Sequence, residues 1–321
     1  MSPPEAVVVG ASSLYRAGRR AVESGWIAPR AGRGTVGRMR WVVVGAAGML
    51  GREVLSRLSA AGERPAGWDR AALDVTDRRA VLAAVAAYRP NVAVNCAAWT
   101  AVDRAEACED EALAVNGDGP RHLADACARY GGRLIHVSTD YVFAGYAHTP
   151  YGEAAATGPA TAYGRTKLAG ERAVLASLPD NAVVLRTAWL YGVYGHNFVR
   201  TMMRRAAGTG LVDVVGDQFG QPTWAADVAE RVLWAGRAAG LCGVLHATNA
   251  GVASWYDLAR EVFALTGHDP RRVRPTTARA WASPAPRPVY TALGHARWAE
   301  VGGPRPRHWR AALRAAVPLL R

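Results

Sequence analysis

From Trp41 onward, short runs of β-branched and apolar residues alternate with segments whose apolar positions recur every three to four residues. The runs 41–44, 92–96, 133–137 and 183–187 read as strands. The stretches 50–61, 78–88 and 110–130 read as helices between them. Such alternation marks a parallel sheet covered by helices. The expected fold class is therefore α/β, a doubly wound parallel sheet of the Rossmann kind with a smaller C-terminal substrate-binding lobe. Residues 40–190 carry this alternation and are expected to form the sheet-bearing domain. After Tyr191 the alternation loosens into Gly- and Pro-rich connections, with prolines dense from Pro284 to Pro288. Residues 191–321 read mainly as the substrate-binding lobe, with 211–215 and 243–247 as candidate strands for a return to the main sheet.

Residues 1–39 carry six arginines against two glutamates and show no sustained periodicity. They read as a basic, disordered leader translated from an upstream start, with Met39 as the beginning of the fold; a transit peptide is the alternative. The longest apolar run, near residues 41–50, is interrupted by glycine and far short of the roughly 20 residues that span a bilayer. No membrane partner is expected. Cys96, Cys108, Cys127 and Cys242 form no Cys-x-x-Cys pair, so neither zinc nor a disulfide framework is indicated, and a reducing cytoplasm fits. The net charge of +13 raises nucleic acid as a partner, but the arginines are dispersed without a sustained basic run or an aromatic platform. No nucleic-acid role is expected; a basic surface suits an anionic substrate.

Gly45-Ala46-Ala47-Gly48-Met49-Leu50-Gly51 stands directly after the first strand and opens the first helix. Glycines there allow a tight turn and let backbone amides approach a pyrophosphate at a helix N-terminus. Asp69, at the expected end of the second strand, could bond a ribose 2′-hydroxyl, whereas Arg70 or Arg52 could pair with a 2′-phosphate, so NAD and NADP both stay open. Asp74 and Val75 are placed to touch an adenine, and Asp74 also reads as the turn before a Thr76 helix cap. Ala97 and Ala98 end a strand with small residues at the edge where ligands bind.

Tyr163-Gly164-Arg165-Thr166-Lys167 holds the only lysine among 39 basic residues; the other 38 are arginine. In a helix, residues i and i+4 share a face, so the Lys167 ammonium would stand beside the Tyr163 phenol and draw it down toward working pH. That makes Tyr163 a proton donor or acceptor. Thr139, in Ser138-Thr139-Asp140-Tyr141 after a strand, supplies a hydroxyl at the same sheet edge, so two donors could converge on one carbonyl oxygen.

These residues resemble the short-chain dehydrogenase/reductase superfamily. Residues from about 40 to 315 resemble the dTDP-4-dehydrorhamnose reductase family through VNCAAWTAVDRAE, HVSTDYVFAG, TAYGRTKLAGE, RTAWLYG, DQFGQPTWAADVA, HATNAGVASWYDLA and PAPRPVY. The resemblance implies that NADPH, or NADH, reduces the C4 ketone of dTDP-4-dehydro-β-L-rhamnose to dTDP-β-L-rhamnose, with Thr139, Tyr163 and Lys167 as the catalytic trio. It implies cofactor contacts at Gly48, Met49, Leu50, Asp69, Asp74, Val75, Ala98, Trp99 and Thr100, and at Tyr163 and Lys167, the lysine holding the nicotinamide ribose, with Gly45, Gly51, Arg70 and Ala97 added by the residue reading. It implies a sugar pocket at Val102, Asp140, Tyr141 and Trp189, and nucleotide or diphosphate contacts at Asn197, Gln218 and Arg287. Trp189 also reads as a core aromatic after a buried strand. Ala144 and Gly216 depart from the family pattern at positions usually polar or acidic. Some relatives dimerise around magnesium held by glutamates; here only Glu53 matches, with Ala226 at another acid position, so no metal is expected and a homodimer stays open. Rival readings are a reductase for a related dTDP-4-keto-6-deoxy sugar of the dihydrostreptose type and a non-catalytic nucleotide-binding regulatory subunit.

Overall fold

The computed structural model describes residues 39–280 and 283–320. The leader, apart from Met39, lies outside them. Strands β1 (Trp41–Val44), β2 (Ala66–Trp68), β3 (Val92–Asn95), β4 (Arg133–Thr139) and β5 (Ala182–Thr187) alternate with helices α1 (Met49–Ala60), α2 (Arg78–Tyr88), α3 (Val102–Ala105), α4 (Glu109–Leu113), α5 (Gly119–Tyr130) and α6 (Ala162–Ser177). The later strands are β6 (Leu190–Tyr191), β7 (Val212–Val215), β8 (Phe219–Gly220), β9 (Thr223–Trp224), β10 (Gly243–His246), β11 (Ala253–Ser254) and β12 (Val273–Thr276). Among them lie α7 (Phe198–Ala207), α8 (Ala225–Arg237), α9 (Trp255–Leu265), α10 (Ala296–Glu300) and α11 (Trp309–Ala316).

The main sheet runs β10-β5-β4-β3-β1-β2, and all its neighbouring strands are parallel. Successive residues of a strand face opposite sides, and β1 shows the consequence. Trp41 and Val43 join Val54, Leu58, Val228 and Val232 in the core beneath α1 and α8. Val42 and Val44 join Val81, Val85, Leu123 and Cys127 beneath α2 and α5. Strand order reverses between β1 and β3, and a crevice opens there at the carboxyl ends of the strands.

Of the two candidate returning strands, β10 pairs with β5 in the main sheet. Residues 211–215 do not return: β7 pairs with β12 in a separate parallel ribbon. The physical reason lies in its packing, since Val214 joins Val199, Met202, Val262, Phe263, Trp309 and Leu313 in the core of the second lobe. The expected helix over 110–130 is broken by a π-helical turn at Ala114–Asp118 between α4 and α5. Asp77, not Thr76, caps α2, accepting from the amides of Arg79 (2.8 Å) and Ala80 (3.1 Å). Among the described residues no helix is long and apolar enough to cross a membrane.

Two devices orient α6. Thr161 caps its N-terminus through the Gly164 amide (3.0 Å), and Glu106 accepts from the Ala162 amide (2.9 Å). Farther along, Glu171 makes a two-pronged bridge to Arg186 of β5, at 2.9 and 2.7 Å, with both side chains buried. Removing one member leaves the other charge buried and unpaired. Arg186→Ala is expected to lower stability by about 3–5 kcal/mol, and Arg186→Met with Glu171→Leu to recover most of that loss; urea midpoints compared at constant slope check both.

Candidate active site

The glycine turn closes on the crevice. Gly45 follows β1 with φ of +77°, a conformation that suits glycine, and a Cβ there would stand 2.5 Å from the Ala97 amide nitrogen across the strand reversal. A Cβ on Gly51 would stand 2.2 Å from the Gly45 carbonyl oxygen. Gly48 caps α1 with no side-chain hydrogen bond, and the first turn of α1 holds no acidic residue. The helix therefore presents free amides and positive dipole to an anion.

A cavity of about 280 Å³ lies in front of this turn, lined by Gly45, Ala47, Gly48, Asp69, Arg70, Leu73, Asp74, Val75, Cys96, Ala97, Ala98, Trp99 and Val115. Of the expected cofactor residues, Met49, Leu50, Gly51, Thr100, Tyr163 and Lys167 are absent from this lining. The Leu50 side chain packs into the core under α1, so only its backbone faces the turn. Arg70 is exposed at the groove, while Arg52 donates to the Ala47 carbonyl (3.0 Å) with its guanidinium over the Tyr194 ring. Asp69 Oδ1 accepts from the Ala71 (3.0 Å) and Ala72 (2.9 Å) amides. Asp74 is held below its usual range by hydrogen bonds from the Thr76 amide and hydroxyl. The uncapped turn and the adjoining cavity fit a dinucleotide pyrophosphate and its adenosine.

Behind the cavity wall formed by Cys96 and Trp99 stand the residues of the proposed chemistry. The Tyr163 hydroxyl is hydrogen-bonded to Thr139, whose Oγ1 also donates to Asp140 Oδ1 (3.1 Å) and accepts from the Tyr141 amide (3.2 Å). The Tyr141 ring meets the Tyr163 ring edge-on, with centroids 5.6 Å apart. Lys167 is buried, with Nζ donating to the Val137 carbonyl at 2.6 Å. Burial lowers its pKa from 10.5 to about 8, against the opposing field of Glu171.

One expectation is corrected here. The ammonium does not draw the Tyr163 phenol down toward working pH. Desolvation pushes the phenol above its usual 10, and the pull in the other direction comes from the Thr139 hydrogen bond. The lysine nitrogen is turned instead to the β4 carbonyl. A phenol held protonated still serves as an acid when negative charge develops on a bonded oxygen.

Asp140 is also buried, and desolvation raises its carboxyl from 3.8 to about 6 despite hydrogen bonding from Thr291 and Thr139. Arg287 donates to Asp103 (2.7 Å) and bonds the Tyr141 hydroxyl, which places it beside the Tyr141–Tyr163 ring pair. Val102 begins α3, next to Asp103. Trp189 is half-buried and stacks on Trp255, with centroids 3.6 Å apart and planes 8° from parallel, so it is no ordinary core aromatic. The Asn197 amide is spent on the fold: Oδ1 accepts from the Arg200 amide (3.1 Å) and Nδ2 donates to the Gly192 carbonyl (2.9 Å). Gln218 is buried just before β8. A second hollow of about 390 Å³, lined by Tyr146, His148, Phe219, Val289 and Tyr290 among others, contains none of Thr139, Tyr163 and Lys167.

Sequence reading missed Asn116. It is fully buried in the π-helical turn, accepts from the Trp99 amide (2.9 Å), and donates to the Trp99 carbonyl (3.1 Å) and Thr166 Oγ1 (3.2 Å). It thereby ties the groove wall to the helix of Tyr163 and Lys167. The one available signal was Asn116-Gly117 inside a helical pattern, a pair that marks a break. Glu171 and Trp255 were likewise passed over.

A parallel sheet with a glycine-turn crevice, and a tyrosine and lysine four residues apart on the helix behind its wall, defines a Rossmann-type oxidoreductase of the short-chain dehydrogenase kind. A family profile described as the RmlD substrate binding domain matches residues 39–321. The chain is 54% identical over 287 residues to a dTDP-4-dehydrorhamnose reductase of Streptomyces griseus, covering 88% of this chain and 94% of that protein. It is 56% identical over 283 residues to a Streptomyces antibioticus protein named "Probable dTDP-4,6-dihydroxy-2-methyloxan-3-one 4-ketoreductase", covering 87% and 95%. Among solved structures, a Bacillus anthracis dTDP-4-dehydrorhamnose reductase in complex with NADP superposes with a TM-score of 0.84 at 33% identity, covering 87% of this chain and 98% of that one. The chain belongs to the dTDP-4-dehydrorhamnose reductase family and is an oxidoreductase.

The depressed pKa of Lys167 carries a stability consequence. Between about pH 8 and pH 10.5 the unfolded chain holds this proton and the native protein does not, so stability gains a contribution as pH rises through that window and loses it as pH falls through about 8. In Lys167→Met this contribution is expected to vanish. Denaturant midpoints of the two proteins, subtracted across the window, measure it.

Proposed function

We propose that this protein reduces the C4 ketone of dTDP-4-dehydro-β-L-rhamnose to dTDP-β-L-rhamnose, with NADPH as the preferred dinucleotide. The observation that carries the reading is the Tyr163–Thr139 hydrogen bond, with Lys167 one turn along α6, beside the Cys96 and Trp99 wall of the cavity in front of the uncapped glycine turn. The S. griseus relative's name and the NADP complex of the B. anthracis structure support the substrate and the cofactor.

The amides of Met49, Leu50 and Gly51, in a turn shaped by Gly45 and Gly48, would hold the pyrophosphate, and Ala97, Ala98, Trp99 and Val75 would line the adenosine and nicotinamide path, with Thr100 at its border. A bound reduced nicotinamide supplies the hydride for the carbonyl carbon. Tyr163 gives its proton to the carbonyl oxygen as charge develops there, and Thr139 holds that oxygen and the phenol in one hydrogen-bonded line. Lys167, held on Val137, would offer its remaining protons to the ribose of the dinucleotide. Asp140, Tyr141, Val102 and Trp189 would contact the sugar. Arg287 and Gln218 would face the diphosphate and nucleoside; Asn197 acts through its cap on α7. Asp69 Oδ1 is engaged by two amides, and exposed Arg70 is the groove residue suited to a 2′-phosphate. The second reading, reduction of a related dTDP-4-keto-6-deoxy sugar, is favoured by the name of the S. antibioticus relative at 56% identity.

Consumption of NADPH and of NADH with dTDP-4-dehydro-L-rhamnose, followed by NMR of the sugar product, tests the reading. Rhamnose formed faster with NADPH supports it, and absent turnover alongside turnover of another 4-keto sugar replaces it with the second. Tyr163→Phe is expected to lower kcat by about 10²- to 10⁴-fold with dinucleotide affinity nearly unchanged, and Lys167→Met to weaken both. Arg70→Ala is expected to narrow the preference for NADPH over NADH, read as the ratio of the two kcat/KM values.

A further inference from the structure

The chain leaves the central sheet for the second lobe at Trp189, between β5 and β6, and there its backbone holds φ of +45°. A side-chain-bearing residue keeps such a conformation only where its surroundings over-determine it. The surroundings here are specific. The Trp189 indole lies flat on Trp255 at 3.6 Å, and its ring so fills the space at Gly220 that a Cβ there would come within 2.7 Å of Cε2. The Trp189 carbonyl accepts from the Thr223 amide at 3.2 Å.

The walls that hold the indole are themselves held. Trp255 is the first residue of α9, directly behind the reciprocal cap in which Ser254 Oγ accepts from the Asp257 amide (3.0 Å) and the Ser254 amide donates to Asp257 Oδ2 (2.9 Å). Phe198 leans on Trp255 at 4.8 Å, and Phe198 follows the Asn197 cap of α7. Antiparallel pairing of β8 with β11 sets Gly220 opposite Ala253 and Phe219 opposite Ser254, so both walls belong to one ribbon. An indole fixed before binding offers an apolar face at little ordering cost, and a deoxy sugar has a C–H-rich face and a methyl group to lay against it.

We propose that Trp255 and Gly220 clamp Trp189 into a rigid wall of the sugar pocket, which makes Trp255 a positioning residue for binding of the keto sugar. This rests on the reading of Trp189 as a pocket residue. The clamp also explains why an aromatic occupies the first turn of α9 while only half-buried.

The test combines sugar-nucleotide kinetics of Trp255→Ala, Trp255→Phe and Gly220→Ala with fluorine NMR of fluorotryptophan-labelled protein, the Trp189 resonance being assigned through Trp189→Phe. Trp255→Ala is expected to raise KM for dTDP-4-dehydro-L-rhamnose about tenfold while kcat stays within about threefold and dinucleotide Kd is unchanged. The Trp189 resonance should shift and broaden as the stacked ring is lost. Gly220→Ala, pressing on the indole from its own side, is expected to raise the same KM, and Trp255→Phe to restore most of it. A displaced Trp189 resonance with wild-type KM in both Trp255→Ala and Gly220→Ala overturns the clamp. Wild-type KM and kcat in Trp189→Ala overturn the pocket reading itself, whereas a raised KM in Trp189→Ala beside a wild-type KM in Trp255→Ala removes the clamp alone. The resonance is read on the free protein, so it reports on the stack even where turnover fails.

Discussion

Arg186 of β5 and Glu171 of α6 meet in an interior with almost no access to water, and each is tolerable there because of the other. The pairing fixes the rotation of α6 about its own axis. Tyr163, Lys167 and Glu171 are spaced four residues apart, so the face that turns Glu171 to Arg186 also turns Lys167 to the Val137 carbonyl and Tyr163 to Thr139. The capping contacts at Thr161 and Glu106 set where along its axis the helix begins. The arrangement of Tyr163, Thr139 and Lys167 therefore stands on an ion pair farther along the same helix.

Desolvation organises the electrostatics of the same region. It lowers Lys167 to about 8, raises Asp140 to about 6, raises the Cys96 thiol to about 12 and holds the Tyr163 phenol protonated. All four groups shift toward their neutral forms. In so dry a setting a developing negative charge on a bonded oxygen is felt strongly, and the nearest donors are a phenol and a hydroxyl already in line. The lone lysine matters through this burial as much as through its shape.

The second lobe is less a separate body than an extension that returns. Its core of Tyr191, Val199, Phe263, Trp309 and Leu313 lies apart from the sheet, yet β10 closes the sheet edge beside β5 and α8 packs on α1 beneath β1. Gly236 of α8 lies so close to the Trp41 indole that a Cβ would come within 2.0 Å. Trp189 stands where the chain crosses between the two parts, and its strained backbone is held by elements of the lobe.

The parallel sheet, the glycine turn and the Tyr163–Lys167 pair were legible in the sequence because each is a local matter: alternation, positive φ and i,i+4 spacing are written within a few residues of one another. The same is true of the Asp74 turn, whose Oδ1 accepts from the Thr76 amide, and of the end of β1. Tertiary structure alone decided that 211–215 would pair with β12, because a short apolar strand fits a sheet edge or a lobe core equally well and long-range packing chooses. It alone decided that the phenol rises where proximity to an amine suggested a fall, since burial of the whole neighbourhood outweighs one charge that is turned elsewhere. The roles of Glu171, Asn116 and Trp255 depend on partners 15, 17 and 66 residues away in the chain. No periodicity records such distances; only the folded chain brings those side chains together.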